Sequence, residues 1–353
     1  MSDKLERKMK ILYSIIRDYI ETAEPIGSRT IAKKYDLGIS AATIRNEMSD
    51  LEEMGFLIQP HTSAGRVPSQ KAYRLYVDEL MNVGHLKADL QKEIRDSYHQ
   101  YVEEIDKAIK HTAQVIAQLT SYTSMVSLPQ MDTLDCKHVQ LIPIEDERVL
   151  MVVVTKENII NNYELRMSRP VQDGELVKLN NILNHVVKGT SLRNIGEGLT
   201  RKINDLTLEE NELLQEIVPI FKEVMINRND NLIYSNGVTN ILNYPEFNDI
   251  GKAKEFLDVI EEKKRVAEIL KQTSGSGLNI IIGTENYVQA FKDCSLITAT
   301  YRINGESIGS IGVIGPVRMN YDHVVSVMSF LSEELNKQLS SSENVQAKGD
   351  EIE

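Results

Sequence analysis

Small and polar side chains cluster at the start of one predicted helix. The residues concerned are Ser40, Ala41, Thr43, Arg45 and Asn46. An arginine fork fits the O6/N7 edge of guanine, an asparagine amide fits the N6/N7 edge of adenine, and small residues can touch a thymine methyl. A recognition helix enters the major groove of DNA by its N-terminal end, so these residue types predict base contacts. The alternative is a helix cap followed by a solvated helix face, which the same residues also suit.

The local distribution of charge favours the DNA interpretation over that alternative. Residues 25–46 carry four cations and one acid, and residues 59–74 carry three cations and no acid, so each segment is +3. The candidates for backbone phosphate contact in the first segment are Ser28, Arg29, Lys33 and Lys34. Because the acids of the first 80 residues lie elsewhere, these two segments are predicted to approach DNA phosphates.

A turn between two short apolar runs provides a second candidate contact. Residues 56–59 and 66–69 predict two strands, and "PHTSAG" lies between them. Gly65 is expected at a tip that tolerates positive φ, and Arg66 on the following strand, where its guanidinium is directed towards a minor groove. The predicted DNA-binding set of this hairpin and its flank is His61, Thr62, Ser63, Gly65, Arg66, Lys71 and Arg74. His61 is interpreted as a hydrogen-bonding turn residue, because no second metal-type ligand is near it in the sequence.

Apolar spacing predicts the helices that position these residues. Residues 4–22 have apolar side chains at steps of three and four, which is typical of a helix with one buried face. Ser28 is expected to cap a short second helix, and Ser40 to cap a third that ends at Gly55. Three helices followed by a two-stranded hairpin are the pattern of a winged helix-turn-helix.

The remainder of the chain alternates between strands and helices. Residues 85–123 predict one long helix, or two with a break. This segment connects the first 80 residues, called the head below, to the rest of the chain, called the body. Runs between residues 137 and 167 predict a meander of strands, helices dominate residues 170–275, and strands return after the linker-like "TSGSG". This order is consistent with a multidomain α+β chain in which a helical insertion interrupts an α+β domain.

Composition restricts the class of protein. The 353 residues suggest two or three domains at about 150 residues each. The net charge of −12 lies entirely beyond residue 80, so a neutral head is attached to an acidic body. Cys136 and Cys294 are far apart, which predicts reduced structural thiols in a cytoplasmic protein. The N-terminus has no signal-peptide pattern and no apolar run approaches 18 residues, so no membrane partner is expected.

An enzyme is the first rival interpretation. The glycines of "INGESIGSIGVIGP" match neither a dinucleotide-binding nor a Walker A pattern, and they are interpreted as a hairpin turn and a strand with close neighbours. The seven histidines have no metal-ligand spacing, and no nucleophile is paired with a base. The sequence therefore predicts a protein that is not an enzyme, without a metal and without a cofactor.

Residues 42–80, "ATIRNEMSDLEEMGFLIQPHTSAGRVPSQKAYRLYVDEL", resemble the signature of the HrcA family of heat-inducible transcription repressors of bacteria. The later segments "YSNGVTNILNYPEF", "IIIGTEN" and "GSIGVIGPVRMNYDHVVSVM" also resemble family segments, in the expected order. Ala72 departs from the pattern, since glycine is expected before the "YR" pair, and this affects only the local turn.

The resemblance implies a homodimer that binds an inverted-repeat operator on double-stranded DNA and represses chaperone operons, with its activity maintained by the chaperonin GroEL and lost on heat stress. It also implies a winged helix, a GAF-like α+β domain and a mainly helical inserted dimerisation domain. The expected domains are a winged helix-turn-helix at 1–80, a connecting long helix at 81–123, a GAF-like domain at 124–168 and 276–340, the insertion at 169–275, and a disordered acidic tail at 341–353.

Two further rivals remain open at this point. A ligand-sensing regulator is an alternative because GAF-like folds often hold small molecules, although fold alone does not confer a ligand. A pure scaffold is the other, but it would leave the basic segregation of residues 25–46 and 59–74 unexplained.

Overall fold

The computed structural model combines helices with antiparallel sheets. It describes residues 3–61, 64–98, 105–128, 135–145, 147–156, 160–187, 233–273, 277–303 and 306–346.

The head begins with three helices and a short hairpin, in the predicted order, and a fourth helix follows. The bounds are α1 (Asp3–Thr22), α2 (Ser28–Lys34), α3 (Ala41–Glu53), β1 (Leu57–Ile58), β2 (Val67–Pro68) and α4 (Gln70–Leu75), with one π-helical turn at Tyr76–Leu80. Ser40 caps α3 and Gly55 ends it at φ +77°, so both predictions are confirmed. The predicted cap at Ser28 is wrong. Ser28 is the first helical residue, and the extended residue before α2 is Gly27, whose carbonyl accepts the first helical hydrogen bonds.

The predicted connecting long helix at 81–123 is also wrong. Two helices occupy the segment, α5 (Ala88–Tyr98) and α6 (Ile105–Thr120). The Tyr98 hydroxyl lies 2.5 Å from Thr112 Oγ1, whereas residues 14 apart in one continuous helix are separated by about 21 Å along its axis. The described parts of α5 and α6 therefore lie side by side, which agrees with the alternative of two helices with a break.

A five-stranded antiparallel sheet forms the centre of the body, in the order β7-β3-β10-β9-β8. Its strands are β3 (Thr123–Ser127), β7 (Ile233–Asn236), β8 (Asn279–Ile282), β9 (Cys294–Ile303) and β10 (Glu306–Pro316). Glycines on β10 have close neighbours, as predicted: a Cβ at Gly312 would lie 2.4 Å from Leu270, and one at Gly315 would lie 2.6 Å from the Tyr122 ring. These positions admit no side chain because Leu270 of a packed helix and the ring of Tyr122, which immediately precedes β3, lie directly on the strand.

Helices cover both faces of this sheet. Ile311 and Val313 of β10 pack with α6 and with α10 (Tyr321–Gln346), whereas Ile314 packs against the opposite layer. That layer consists of α8 (Ile250–Glu261) and α9 (Lys263–Thr273). The alternation follows the two-residue period of a strand buried on both sides. The predicted final helix begins at Tyr321, as expected, but it extends six residues into the segment predicted as a disordered tail.

A second, three-stranded antiparallel sheet has its own apolar core. It comprises β4 (Cys136–Glu145), β5 (Arg148–Thr155) and β6 (Ile160–Arg166), which confirms the predicted meander, and α7 (Asp173–Val187) packs against it.

The grouping of these elements differs from the predicted grouping. The strands at 136–166 were expected beside β9 and β10, yet among the described residues they pair with one another and not with the five-stranded sheet. Strand β7 belongs to the five-stranded sheet, and α8 and α9 pack on it, although 169–275 was expected to form a separate insertion. Residues 274–276 of the "TSGSG" segment lie outside the described residues, but the elements on either side of them share one core, because Asn279 and Thr298 both donate hydrogen bonds to the Thr273 carbonyl at the end of α9.

Candidate nucleic-acid interface

Helix α3 presents the predicted recognition residues on its exposed side. The Ser40 hydroxyl accepts a hydrogen bond from the Thr43 amide at 3.2 Å, which fixes the start of the helix. The buried side carries Ile44, Glu47, Met48 and Leu51. Arg45 and Asn46 are exposed on the opposite side, within the first two turns, and the first turn contains no acid. Ala41 is half-buried beside them.

The side chains of Arg45 and Asn46 make no hydrogen bond or ion pair with any residue that the structure describes. The same holds, over the described ranges, for the exposed Arg29 and Lys33 on α2, which packs against α3. Unpaired guanidinium and ammonium groups remain available for an anion, and two adjacent helices here present three of them. These residues form the part of the predicted interface that the structure brings together.

Lys34, the next residue after Lys33, has a different environment. Its ammonium group lies 2.7 Å from Asp18 Oδ1 and 3.2 Å from Glu21 Oε2, both on α1. The hydrogen bonds that the Lys34 ammonium donates to Asp18 and Glu21 raise the Lys34 pKa above its ordinary value. Lys34 therefore holds α2 against α1, and its predicted phosphate contact competes with this ion pair.

The hairpin arginine is also bound within the protein. Arg66 donates to Glu52 Oε2 from Nε at 2.9 Å and lies 2.8 Å from it through Nη2, which ties the second strand of the hairpin to the last turn of α3. The Arg66 backbone pairs with Ile26 in an isolated antiparallel bridge. A Cβ at Gly65 would lie 2.4 Å from the Ile26 carbonyl oxygen, and the φ of Gly65 is not positive. The prediction that Gly65 adopts a positive φ was wrong. Glycine is required at this position because the Ile26 backbone approaches it too closely for a side chain.

Two further cations of the predicted set contact the protein. Lys71 donates to the Met54 carbonyl at 2.9 Å and lies 4.5 Å from the Phe56 ring centre. Arg74 pairs with Asp78 at 2.7 Å and donates to the Ile280 carbonyl at 2.8 Å. Arg74 thus contacts the edge strand β8 of the body. At the hairpin tip His61 is exposed, whereas Thr62 and Ser63 lie outside the described residues.

A buried ionic cluster beneath α3 was not predicted from the sequence. Glu47 is 4% exposed and binds both Arg7 and Lys8 of α1, and Lys8 also binds Asp50 at 2.5 Å. Burial alone would raise the Glu47 pKa, but hydrogen bonds from Lys8 and Arg7 hold it below its ordinary value. The sequence contains the signal, because a carboxylate three residues after Ile44 and one before Met48 falls on the apolar stripe, where a charge needs a partner.

The contacts between head and body were likewise missed. Gln70 Oε1 accepts hydrogen bonds from the Thr284 amide at 2.9 Å and from its hydroxyl at 2.7 Å. Tyr76 donates to Asp322 at 3.3 Å, and Arg318 donates to the Ile20 carbonyl at 3.0 Å. These contacts join residues more than 200 positions apart, so no local sequence pattern predicts them.

Three further properties of the described part of the chain concern metal sites, thiols and membrane-spanning helices. Groups of three or more His, Cys, Asp or Glu side chains with metal-binding geometry do not occur there. Cys136 and Cys294 are buried free thiols at the starts of strands, as predicted, and burial raises the Cys136 pKa to about 12. Among the described helices, none has the length and apolar character that crossing a membrane requires.

Comparison with known sequences gives a consistent result along the whole chain. A sequence model described as the HrcA protein C-terminal domain matches residues 106–325. The heat-inducible transcription repressor HrcA of Ruminiclostridium cellulolyticum is 44% identical over 337 residues, covering 95% of this chain and 97% of the relative. The protein of the same name from Clostridium tetani is 44% identical over 336 residues, covering 95% of each chain.

Among solved structures, a crystal structure described as that of a hypothetical protein covers 97% of this chain at a TM-score of 0.63 and 22% identity. This similarity concerns the fold alone.

Proposed function

This chain belongs to the HrcA family of heat-inducible transcription repressors, and on that premise we propose that its first 80 residues are a winged helix-turn-helix that binds double-stranded DNA. Helix α3 is the recognition helix in this proposal, and Arg45 and Asn46 read base edges in the major groove. The observation that carries the proposal is that both side chains are exposed, and that neither binds any described residue.

Neighbouring groups supply sequence-independent affinity. Arg29 and Lys33 neutralise phosphates from α2, while Ser28 and the α3 cap residue Ser40 face the same backbone. Phosphate contacts position the helix and base contacts specify the sequence, so the two groups have separable effects. Thr43 and Ala41 permit close approach at the helix start.

The hairpin acts as the wing, and its tip residues contact the adjacent groove or backbone. His61 is exposed at this tip, whereas Lys71 in α4 is bound to the Met54 carbonyl. Arg66 and Arg74 are assigned a positioning role, since each is bound to a carboxylate of the protein. Arg66 holds the hairpin on α3, and Arg74 holds the head on the body.

The repressor acts as a homodimer in the cytoplasm on an inverted-repeat operator upstream of chaperone genes. A two-fold dimer places one recognition helix on each half-site, which matches the symmetry of such a repeat. The GAF-like part is the five-stranded sheet with its two helical layers. The dimerising insertion begins at the three-stranded sheet, because that sheet has an apolar core of its own.

In this proposal heat controls the repressor through its binding equilibrium with the chaperonin. The chaperonin GroEL maintains the folded, DNA-competent state, and clients that accumulate on heating occupy the chaperonin and withdraw it from the repressor. The repressor then leaves its operator and chaperone synthesis rises.

The experiment is binding of the purified chain to a chaperone-operon inverted repeat, a half-site and a scrambled duplex. Each is titrated over a salt series with and without GroEL, and sedimentation gives the stoichiometry. Preference for the intact repeat, strengthened by GroEL, is the expected result. Equal affinity for all three duplexes with the same salt slope would reduce the interaction to phosphate attraction and contradict the proposal.

A further inference from the structure

Helix α3 is held by a buried ionic anchor in addition to apolar packing. The anchor consists of Glu47 and Asp50 on α3 and of Arg7 and Lys8 on α1. Glu47 and Lys8 are 4% and 8% exposed, whereas the side chains of Arg7 and Asp50 are 38% and 44% exposed, so the anchor runs from the packed side of α3 to the surface of the head. Each carboxylate oxygen of Glu47 has its own cation: Oε1 accepts from Arg7 Nε at 3.1 Å, and Oε2 accepts from Lys8.

Apolar packing and the ionic anchor constrain α3 in different ways. Ile44, Met48 and Leu51 hold the helix through contacts that depend little on direction, and such contacts tolerate small rotations about the helix axis. A carboxylate bound by two cations is directional, because turning the helix would leave buried charges without partners. The anchor therefore defines the rotation of α3 more narrowly than its apolar face does.

The anchor lies next to the proposed reading residues. Arg45 and Asn46 immediately precede Glu47, and successive residues in a helix differ by about 100° in direction. A rotation that displaced Glu47 from Lys8 would move Arg45 and Asn46 across the groove by the same angle. Bidentate contact with a base edge requires close alignment, so a small rotation would weaken base reading before it affected phosphate contact.

We propose that Glu47 is a positioning residue for sequence recognition, which acts through Lys8 and Arg7 to fix the rotation of α3 and hence the direction of Arg45 and Asn46. This inference rests on the proposed DNA-binding function. In this proposal Glu47 does not contact DNA. The anchor fixes the rotation of α3, which is a different role from adding to the free energy of unfolding. Replacing buried ion pairs by apolar side chains is often neutral or stabilising, so the two roles are separable.

The test uses the full chain and a duplex enriched by the wild-type protein from a random-sequence library. The measured quantity is the ratio of affinity for that duplex to affinity for a scrambled duplex, at one salt concentration. The variants are Glu47→Gln and the charge-neutral pair Lys8→Met/Glu47→Met. Glu53→Gln is the matched control, since Glu53 is exposed in the last turn of the same helix and has no partner in the described part of the chain.

Both anchor variants are expected to lower the ratio by about tenfold, the size of one well-aligned base contact, with affinity for scrambled DNA retained in the charge-neutral pair. The unfolding midpoint of the Lys8→Met/Glu47→Met variant is expected to stay within about 4 °C of wild type, and Glu53→Gln is expected to keep the wild-type ratio.

A wild-type affinity ratio in either folded anchor variant would overturn the proposal. Unfolding of both would also overturn it, because the anchor would then be a requirement of folding. If the wild-type chain enriches no sequence, the proposed function itself fails, and this outcome is distinct from the others.

Discussion

Two groups of cations in the head have the same charge but different surroundings. Arg29, Lys33 and Arg45 are exposed and bind nothing in the described ranges, and we call them the free cations. The engaged cations, Lys34, Arg66, Lys71 and Arg74, each bind a carboxylate or a carbonyl of the protein. Residues 25–46 and residues 59–74 each have a net charge of +3. The free cations, however, all lie in the first segment, on α2 and α3. The cations of the second segment are all engaged, and they hold the hairpin and α4 in place. Local basic charge is thus a poor measure of what is available to DNA.

The largest effect is expected from a free cation. Arg45→Ala should lower operator affinity by about 1–3 kcal/mol and relax the base preference, because a bidentate base contact is removed. Binding isotherms on the operator and on single-base variants measure both quantities. Equal weakening on scrambled DNA would place Arg45 on phosphate and remove it from base reading.

A change at the hairpin should affect folding of the head by about 2 kcal/mol. In Gly65→Ala the new methyl group would lie 2.4 Å from the Ile26 carbonyl oxygen, so the bridge between Ile26 and Arg66 must open. Denaturant unfolding measures the loss. Gly84→Ala is the control, because a Cβ there meets nothing within 4 Å. Unchanged stability of Gly65→Ala would show that the hairpin adapts.

Removal of an engaged cation should alter stability and leave DNA binding intact. Arg74→Ala removes the donor to the Ile280 carbonyl and is expected to cost about 1 kcal/mol of unfolding free energy. The salt slope of DNA binding should not change. Lys263→Ala, an exposed lysine of the body, controls for the lost charge. A reduced salt slope in Arg74→Ala alone would assign Arg74 to the DNA contact after all.

The smallest effects are expected from two adjacent lysines, which make the sharpest comparison. Lys33→Ala should reduce the salt slope by about one unit without altering the unfolding midpoint, since one phosphate contact is lost. Lys34→Ala should lower the midpoint slightly and leave the slope unchanged, because its ion pairs with Asp18 and Glu21 are lost. If the two variants behave alike, the distinction between free and engaged cations has no consequence for binding.

Local patterns predicted most of the head's secondary structure. The apolar spacing of α1 and α3, the cap at Ser40 and the end of α3 at Gly55 were all readable, because each depends on neighbours within one or two turns. The meander of β4 to β6 was predicted for the same reason, since its strands are consecutive and joined by short turns.

The grouping of strands was not readable. Strand β7 lies more than 100 residues from its partner β3, and α9 packs on Gly312 from a segment that reads locally as an insertion. Strand pairing over such distances depends on which apolar faces meet, and a single sequence does not specify this. The break between α5 and α6 was undecided for a similar reason, because both helices have apolar faces that one continuous helix would also have.

The sequence by itself determined which residues are proposed to contact DNA: an arginine and an asparagine on the first turns of a capped helix, with cations close to them. Only the tertiary structure decided which of those cations remain unbound and what holds the helix. The physical reason is that the ion pairs of Lys34, Arg66 and Glu47 join side chains 13 to 40 residues apart. Such pairs depend on how α1, α3 and the hairpin pack together, and no local spacing encodes that arrangement.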